Sequence, residues 1–246
     1  MLVLSNVSKT YGKNDVKAVN DVSLTVEEGR IFGFLGPNGA GKTTTIKMIT
    51  GILPFEQGKI KIFGRDIISD SVAAKKMIGY VNDSGVLLER LTGREFVDFM
   101  SDVYGVSVAE RKERTETLLE MFNLTAAFDQ QINTYSHGMK QKISLIGALV
   151  HKPKLLILDE PMVGLDPQSA FQLKQIMKNH AAEGNIVFFS THVLEVAEKL
   201  CDHVGIISNG SLIMNGKMDE IKKISNDKSL EDIFLSVAGS HSEYSL

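Results

Sequence analysis

The stretch Gly36-Pro-Asn-Gly-Ala-Gly-Lys-Thr43 constrains this chain more than any other part of it. It fits G-x-x-x-x-G-K-[ST]. It follows the nearly all-apolar run Ile31-Phe-Gly-Phe-Leu35 and precedes a helical pattern, Thr43 to Gly51, in which Ile46 and Ile49 are apolar. A buried strand, a glycine-rich turn and a helix in that order are the context a phosphate-binding loop requires. Gly36, Gly39 and Gly41 let backbone N–H groups turn inward around phosphate oxygens, and the helix N-terminus adds partial positive charge. Pro37, Asn38, Ala40 and Thr44 complete the loop and its first turn. Lys42 supplies a point charge to the β- and γ-phosphates, and the Thr43 hydroxyl is placed to ligate Mg²⁺.

Such a loop needs a metal-holding acid on a neighbouring strand. Leu155-Leu-Ile-Leu-Asp159-Glu160-Pro161 supplies one, because four apolar residues bury the strand and the acids emerge at its C-terminal end, where open α/β sheets bind ligands. Asp159 is the candidate to hold Mg²⁺ or its water, and Glu160 the candidate to polarise the water that attacks the γ-phosphate.

Short β-rich runs alternate with helical patterns, which predicts α/β architecture. Val22–Val26 alternates apolar and polar, as an exposed strand would, and Lys59–Phe63 alternates until Gly64. Ile186–Phe189 and Val204–Ile207 read as further buried strands. From about Leu91 to Val150 the pattern is helical, a lobe inserted into the α/β core. There Thr92 caps a helix carrying Phe96, Phe99, Met100 and Val103 at i, i+3, i+4, i+7. Ser107 with Glu110 resembles a capping box opening a helix that buries Leu118, Leu119 and Phe122. Leu230, Ile233, Phe234 and Val237 share one face of a C-terminal packing helix, whose other face is not basic enough for a membrane surface.

The composition, 43% hydrophobic and 23% charged, excludes a disordered, collagen-like or disulfide-stapled chain. With 27 Lys plus Arg against 30 Asp plus Glu, no basic excess exists and nucleic acid is not an expected partner. One cysteine, Cys201, makes neither an internal disulfide nor a cysteine zinc site. No apolar run approaches the roughly 20 residues that span a bilayer, so work at a membrane needs a span from another chain.

With these motifs and their spacing, the chain resembles the nucleotide-binding subunit of a bacterial ATP-binding cassette (ABC) transporter over roughly residues 1 to 220. Tyr11, in Ser-Lys-Thr-Tyr-Gly, matches the family's adenine-stacking aromatic. Ser136-His-Gly-Met-Lys-Gln141 matches the signature loop, Gly164-Leu-Asp166 the D-loop, and His192 the switch histidine. Ile78-Gly-Tyr-Val-Asn-Asp83 matches the loop joining core to helical lobe. The resemblance implies an α/β P-loop NTPase (RecA-like) core with an antiparallel β subdomain and an inserted α-helical subdomain. It implies one domain, 1–246, divided into a nucleotide-binding core at 1–86 and 151–220, a helical subdomain at 87–150 and a tail helix at 221–246. It also implies binding of ATP with Mg²⁺ in a composite site. Ser136 and Gly138 of one subunit contact the γ-phosphate held by a second, identical or related ATPase subunit, while His192 contacts it from its own side. Asp166 belongs to the same nucleotide site. Catalysis falls to Glu160, His192 and Lys42, and metal binding to Thr43, Asp159 and Asp83. The resemblance further implies separate transmembrane permease subunits that hold the protein peripherally on the cytoplasmic side of the plasma membrane.

Two positions depart from the family pattern. His137 replaces the first glycine of Leu-Ser-Gly-Gly-Gln, giving a signature like that of bacterial drug, sodium and antibiotic export ATPases; the tail Ser229–Leu235 resembles theirs too. Asp83 stands where Gln is usual, so either a metal offsets its charge or its side chain turns away. The signature and tail argue against an importer ATPase, and intact Lys42, Asp159, Glu160 and His192 argue against a non-hydrolysing regulatory module. No Asn-Lys-x-Asp motif supports a GTPase, and the spacing between phosphate loop and Ser136 leaves no room for a long coiled coil.

Overall fold

The computed structural model of the protein describes residues 1–12, 16–83, 88–224, 230–232 and 234. Two sheets organise it. The first is antiparallel, in the order β2-β1-β4-β5, from β1 (Leu2–Thr10), β2 (Lys17–Val26), β4 (Gln57–Ile62) and β5 (Arg65–Asp66). The second has six strands in the order β10-β9-β3-β8-β7-β6. It comprises β3 (Ile31–Leu35), β6 (Ile78–Val81), β7 (Leu155–Asp159), β8 (Ile186–Thr191), β9 (His203–Ser208) and β10 (Ser211–Lys217). Its strands are parallel except β10, which pairs antiparallel with β9.

The parallel strands are apolar on both faces because both faces are covered. Phe32, Phe34, Ile157 and Phe188 point to a core shared with the antiparallel sheet and α1 (Lys42–Ile49). Ile31, Leu35, Leu156, Leu158 and Phe189 point to the opposite core. That second core is closed by α3 (Gly93–Tyr104), α4 (Val108–Met121), α5 (His137–Leu149) and α6 (Pro167–Ala182). The shorter helices are α2 (Ser71–Lys75), α7 (Leu194–Leu200) and α8 (Met218–Ile224). Leu230 is buried against the second core and Phe234 packs on it; Ile233 and Val237, predicted on the same face, lie outside the described residues. No described helix is long and apolar enough to cross a membrane.

Helix starts follow the side chains at their caps. Thr92 and Glu95 form a reciprocal capping box on α3, Ser107 caps α4, Ser136 caps α5 and Asp166 caps α6.

The structure corrects three sequence readings. The segment Ile78–Asp83 is not all loop: Ile78–Val81 is the edge strand β6, laid parallel against β7, and only Asn82 and Asp83 follow it. On α3, Phe99 and Val103 are exposed while Val97 and Ser101 turn inward beside Phe96. The buried stripe is therefore rotated from the one spacing predicted, since α5 contacts α3 from one side only. Val22–Val26 is half-buried rather than exposed, with Val22, Leu24 and Val26 facing the first core. β1 and β10 were not foreseen.

Candidate functional site

The phosphate loop is shaped by close approaches that only glycine permits. At Gly36 an added Cβ would lie 2.4 Å from the Ile207 carbonyl oxygen. Gly41, the residue before α1, has φ +108° and would place a Cβ 2.5 Å from the Ala18 carbonyl oxygen. The loop is tied to the far edge of the sheet by the Gly210 N–H, which donates to the Ala40 carbonyl at 3.0 Å. The N-terminus of α1, with no acidic residue in its first turn, then faces a cavity of about 210 Å³. Pro37, Asn38, Gly39, Gly41, Lys42, Thr43 and Thr44 line it, joined by Ala18, Asp83 and Glu160. Exposed N–H groups at such a terminus favour an anion.

Lys42 is buried, and its Nζ donates to the carbonyls of Gly36 at 2.7 Å and Pro37 at 3.2 Å. The same ammonium stands 3.6 Å from Glu160 Oε1. The other carboxylate oxygen of Glu160 lies 3.0 Å from His192 Nδ1. Glu160 therefore sits between a cation and an imidazole at the wall of the cavity. A carboxylate so placed can accept a proton from a water held there.

Asp159 is fully buried at the end of β7. Burial pushes its carboxyl pKa up; the Ser190 and Thr43 hydroxyls oppose that, and the negative charges of Asp83 and Glu160 add to it. Its Oδ1 accepts from the Ser190 hydroxyl at 2.5 Å, while Oδ2 is buried with no hydrogen-bond partner. A hard divalent cation takes oxygen ligands from one or two carboxylates, a hydroxyl and substrate phosphates. The orphaned Oδ2, with the Thr43 hydroxyl beside the carboxylate, fits that donor set. Of the two alternatives for Asp83, the structure has it lining the cavity.

The remaining expected residues lie elsewhere. Tyr11 is exposed and does not line the cavity. Its ring lies 5.6 Å from Lys9 Nζ, and Lys9 is held by Glu56 at 2.5 Å. Ser136, Gly138 and Asp166 belong to a second cluster. The Ser136 hydroxyl accepts from the Met139 N–H at 3.3 Å. A Cβ on Gly138 would meet the Gly164 carbonyl at 2.7 Å, and one on Gly164 would meet the His137 ring at 2.2 Å. The Asp166 carboxylate accepts from the Ser169 N–H at 2.9 Å and pairs with Lys142 at 2.9 Å, which holds its pKa well below the usual range. Sequence reasoning missed Ser190, Ala18 and Lys142. Ser190 carried one signal, standing two residues before His192 at a strand end.

The family described as ABC transporter matches residues 19–163. The linearmycin resistance ATP-binding protein LnrL of Bacillus subtilis (strain 168) is 40% identical over 240 residues, 97% of this chain and 76% of that protein. A solved ATP-binding subunit of an ABC transporter superposes with a TM-score of 0.91 at 32% identity, covering 96% of this chain and 99% of that one. A dimeric post-hydrolysis ATP-binding cassette bound to ADP and Pi superposes at 0.80 with 26% identity, covering 89% and 99%. The chain belongs to the ABC transporter family, as a nucleotide-binding ATPase subunit.

Proposed function

We propose that this chain powers an exporter by binding MgATP, closing head-to-tail on a second ATPase subunit, hydrolysing ATP and reopening. The observation that carries the reading is Glu160, held 3.6 Å from Lys42 and 3.0 Å from His192 at the wall of the phosphate-loop cavity. Loop amides and Lys42 bind the β- and γ-phosphates, and Tyr11 stacks on adenine. Glu160 takes the proton of the attacking water, and His192 orients Glu160 and contacts the γ-phosphate. When bound, Mg²⁺ would be held by Thr43 and Asp159, with Asp83 adjoining, and would neutralise phosphate charge. Ser136 and Gly138, at the N-terminus of α5, face the nucleotide of the opposite subunit, and Asp166 completes that cluster. Loss of one phosphate group removes those contacts, so hydrolysis biases the pair of subunits toward opening.

Residues 87–150 act as the helical subdomain against a core of 1–86 and 151–220, followed by the tail at 221–246. Transmembrane permease chains dock this assembly on the cytoplasmic face of the membrane. The signature Tyr135-Ser-His-Gly-Met139 and the antibiotic-resistance name of the LnrL relative favour export. Glu160→Gln tests the reading, because it keeps shape and removes the basic charge. ATP should still bind, phosphate release should fall about 10²–10⁴-fold, and light scattering with MgATP should find the dimer. Hydrolysis at the wild-type rate overturns the role of Glu160.

A further inference from the structure

We propose that Ser190 is a positioning residue for both acids of the site, which rests on the reading of Asp159 and Glu160 given above. Ser190 is fully buried on β8, directly opposite Asp159 of β7 in the parallel ladder. Its hydroxyl donates to Asp159 Oδ1 at 2.5 Å and accepts from the Glu160 N–H at 3.1 Å. One oxygen atom thereby addresses two consecutive residues with opposite polarity, using its proton on one and a lone pair on the other.

Each bond has a separate consequence. At Asp159 it occupies one carboxylate oxygen and fixes which edge, Oδ2, stays free of protein partners. At Glu160 it satisfies an amide that the ladder cannot. Pairing of β7 with β8 ends at Asp159, and Glu160 turns to φ +49°, a left-handed conformation costly for a residue with a Cβ. That turn aims the Glu160 side chain toward Lys42 and His192 instead of along the strand. An aliphatic residue at 190 would leave the buried Asp159 oxygen and the part-buried Glu160 N–H without this partner. The hydroxyl lies behind the acids and does not line the cavity, so it acts through them.

The test compares Ser190→Ala with wild type, and Ser190→Thr with Ser190→Val, a pair alike in shape that differs by the hydroxyl. Removing the hydroxyl is expected to lower kcat about 10–100-fold, as loss of a supporting hydrogen bond around ligating side chains does. KM for ATP and binding of a fluorescent ATP analogue stay within about twofold. Exchange of the Glu160 amide hydrogen, followed without nucleotide, should quicken while that of Phe188, on β8 with Ser190, does not. Ser190→Thr should exceed Ser190→Val in kcat by at least about tenfold, which decides the matter if Ser190→Ala fails to fold. Equal kcat in that pair, or unchanged Glu160 amide protection in Ser190→Ala, overturns the proposal. If Glu160→Gln is inactive while Ser190→Ala turns over normally, only the role of Ser190 falls. If Glu160→Gln hydrolyses at the wild-type rate, the reading beneath it falls.

Discussion

Single residues outside the nucleotide site show how burial sets chemistry. The His151 ring stacks on Tyr104 at 3.6 Å between centroids, and its Nε2 meets the Ile78 carbonyl at 3.0 Å. Burial pushes its pKa down to about 4; the Ile78 carbonyl opposes this and the Arg114 charge adds to it. The unfolded chain therefore takes up a proton near pH 6.5 that the fold refuses until about pH 4, and stability drains as pH falls through that window. Between pH 7 and pH 5 the loss from this one group is about 2 kcal/mol. His151→Phe keeps the stack and cannot titrate. Its urea midpoint should fall less from pH 7 to pH 5 than that of wild type, and His180 and His203, whose pKa values burial also lowers, contribute to the fall that remains. The candidate-site residues that sequence made legible were those in fixed short spacings, Lys42 with Thr43 and Asp159 with Glu160. Ser190 was not, because a polar residue at a strand end is commonplace until its partner strand is known.

At the scale of elements, the buried parallel strands were legible from unbroken apolar runs, and α3 and α4 from their caps. β1, β6 and β10 were not. β6 has only four residues, and β1 and β10 mix polar residues among apolar ones because each borders solvent on part of its length. The face that α3 buries was misread because it is chosen by α5, an element distant in sequence. Gly147 of α5 is the point of closest approach: a Cβ there would lie 2.5 Å from Phe96 of α3. Alanine raises helix propensity by about 0.8–1.0 kcal/mol over glycine, whereas overpacking a tight core costs about 1–3 kcal/mol. The clash wins, so Gly147→Ala should lose about 1 kcal/mol in urea unfolding despite being the better helix former.

On the reading proposed above, nucleotide couples to the stability of the whole molecule through the phosphate-loop cavity. ATP that binds only the folded chain stabilises it by about 2.7 kcal/mol at a hundred times Kd, a rise in Tm of about 5–10 °C for a chain of this size. Lys42→Ala removes the buried ammonium from the loop, and a tenfold loss of affinity at the same ATP concentration halves that rise; differential scanning fluorimetry reads both. The order of strands in the central sheet has a further consequence, for how the chain is made. The strand that leads into the phosphate loop pairs with β8 and β9, so Ile31 lies opposite Val187 and Phe32 opposite His203. Domains emerge from the ribosome N-terminal end first, and long-range parallel pairing is slow to form. Until the strands beyond residue 186 are synthesised, β3 has no neighbour, and neither Ile207 nor Gly210 is there to brace the loop. The phosphate loop is thus translated early, and the contacts that brace it are conferred late, by the last quarter of the chain.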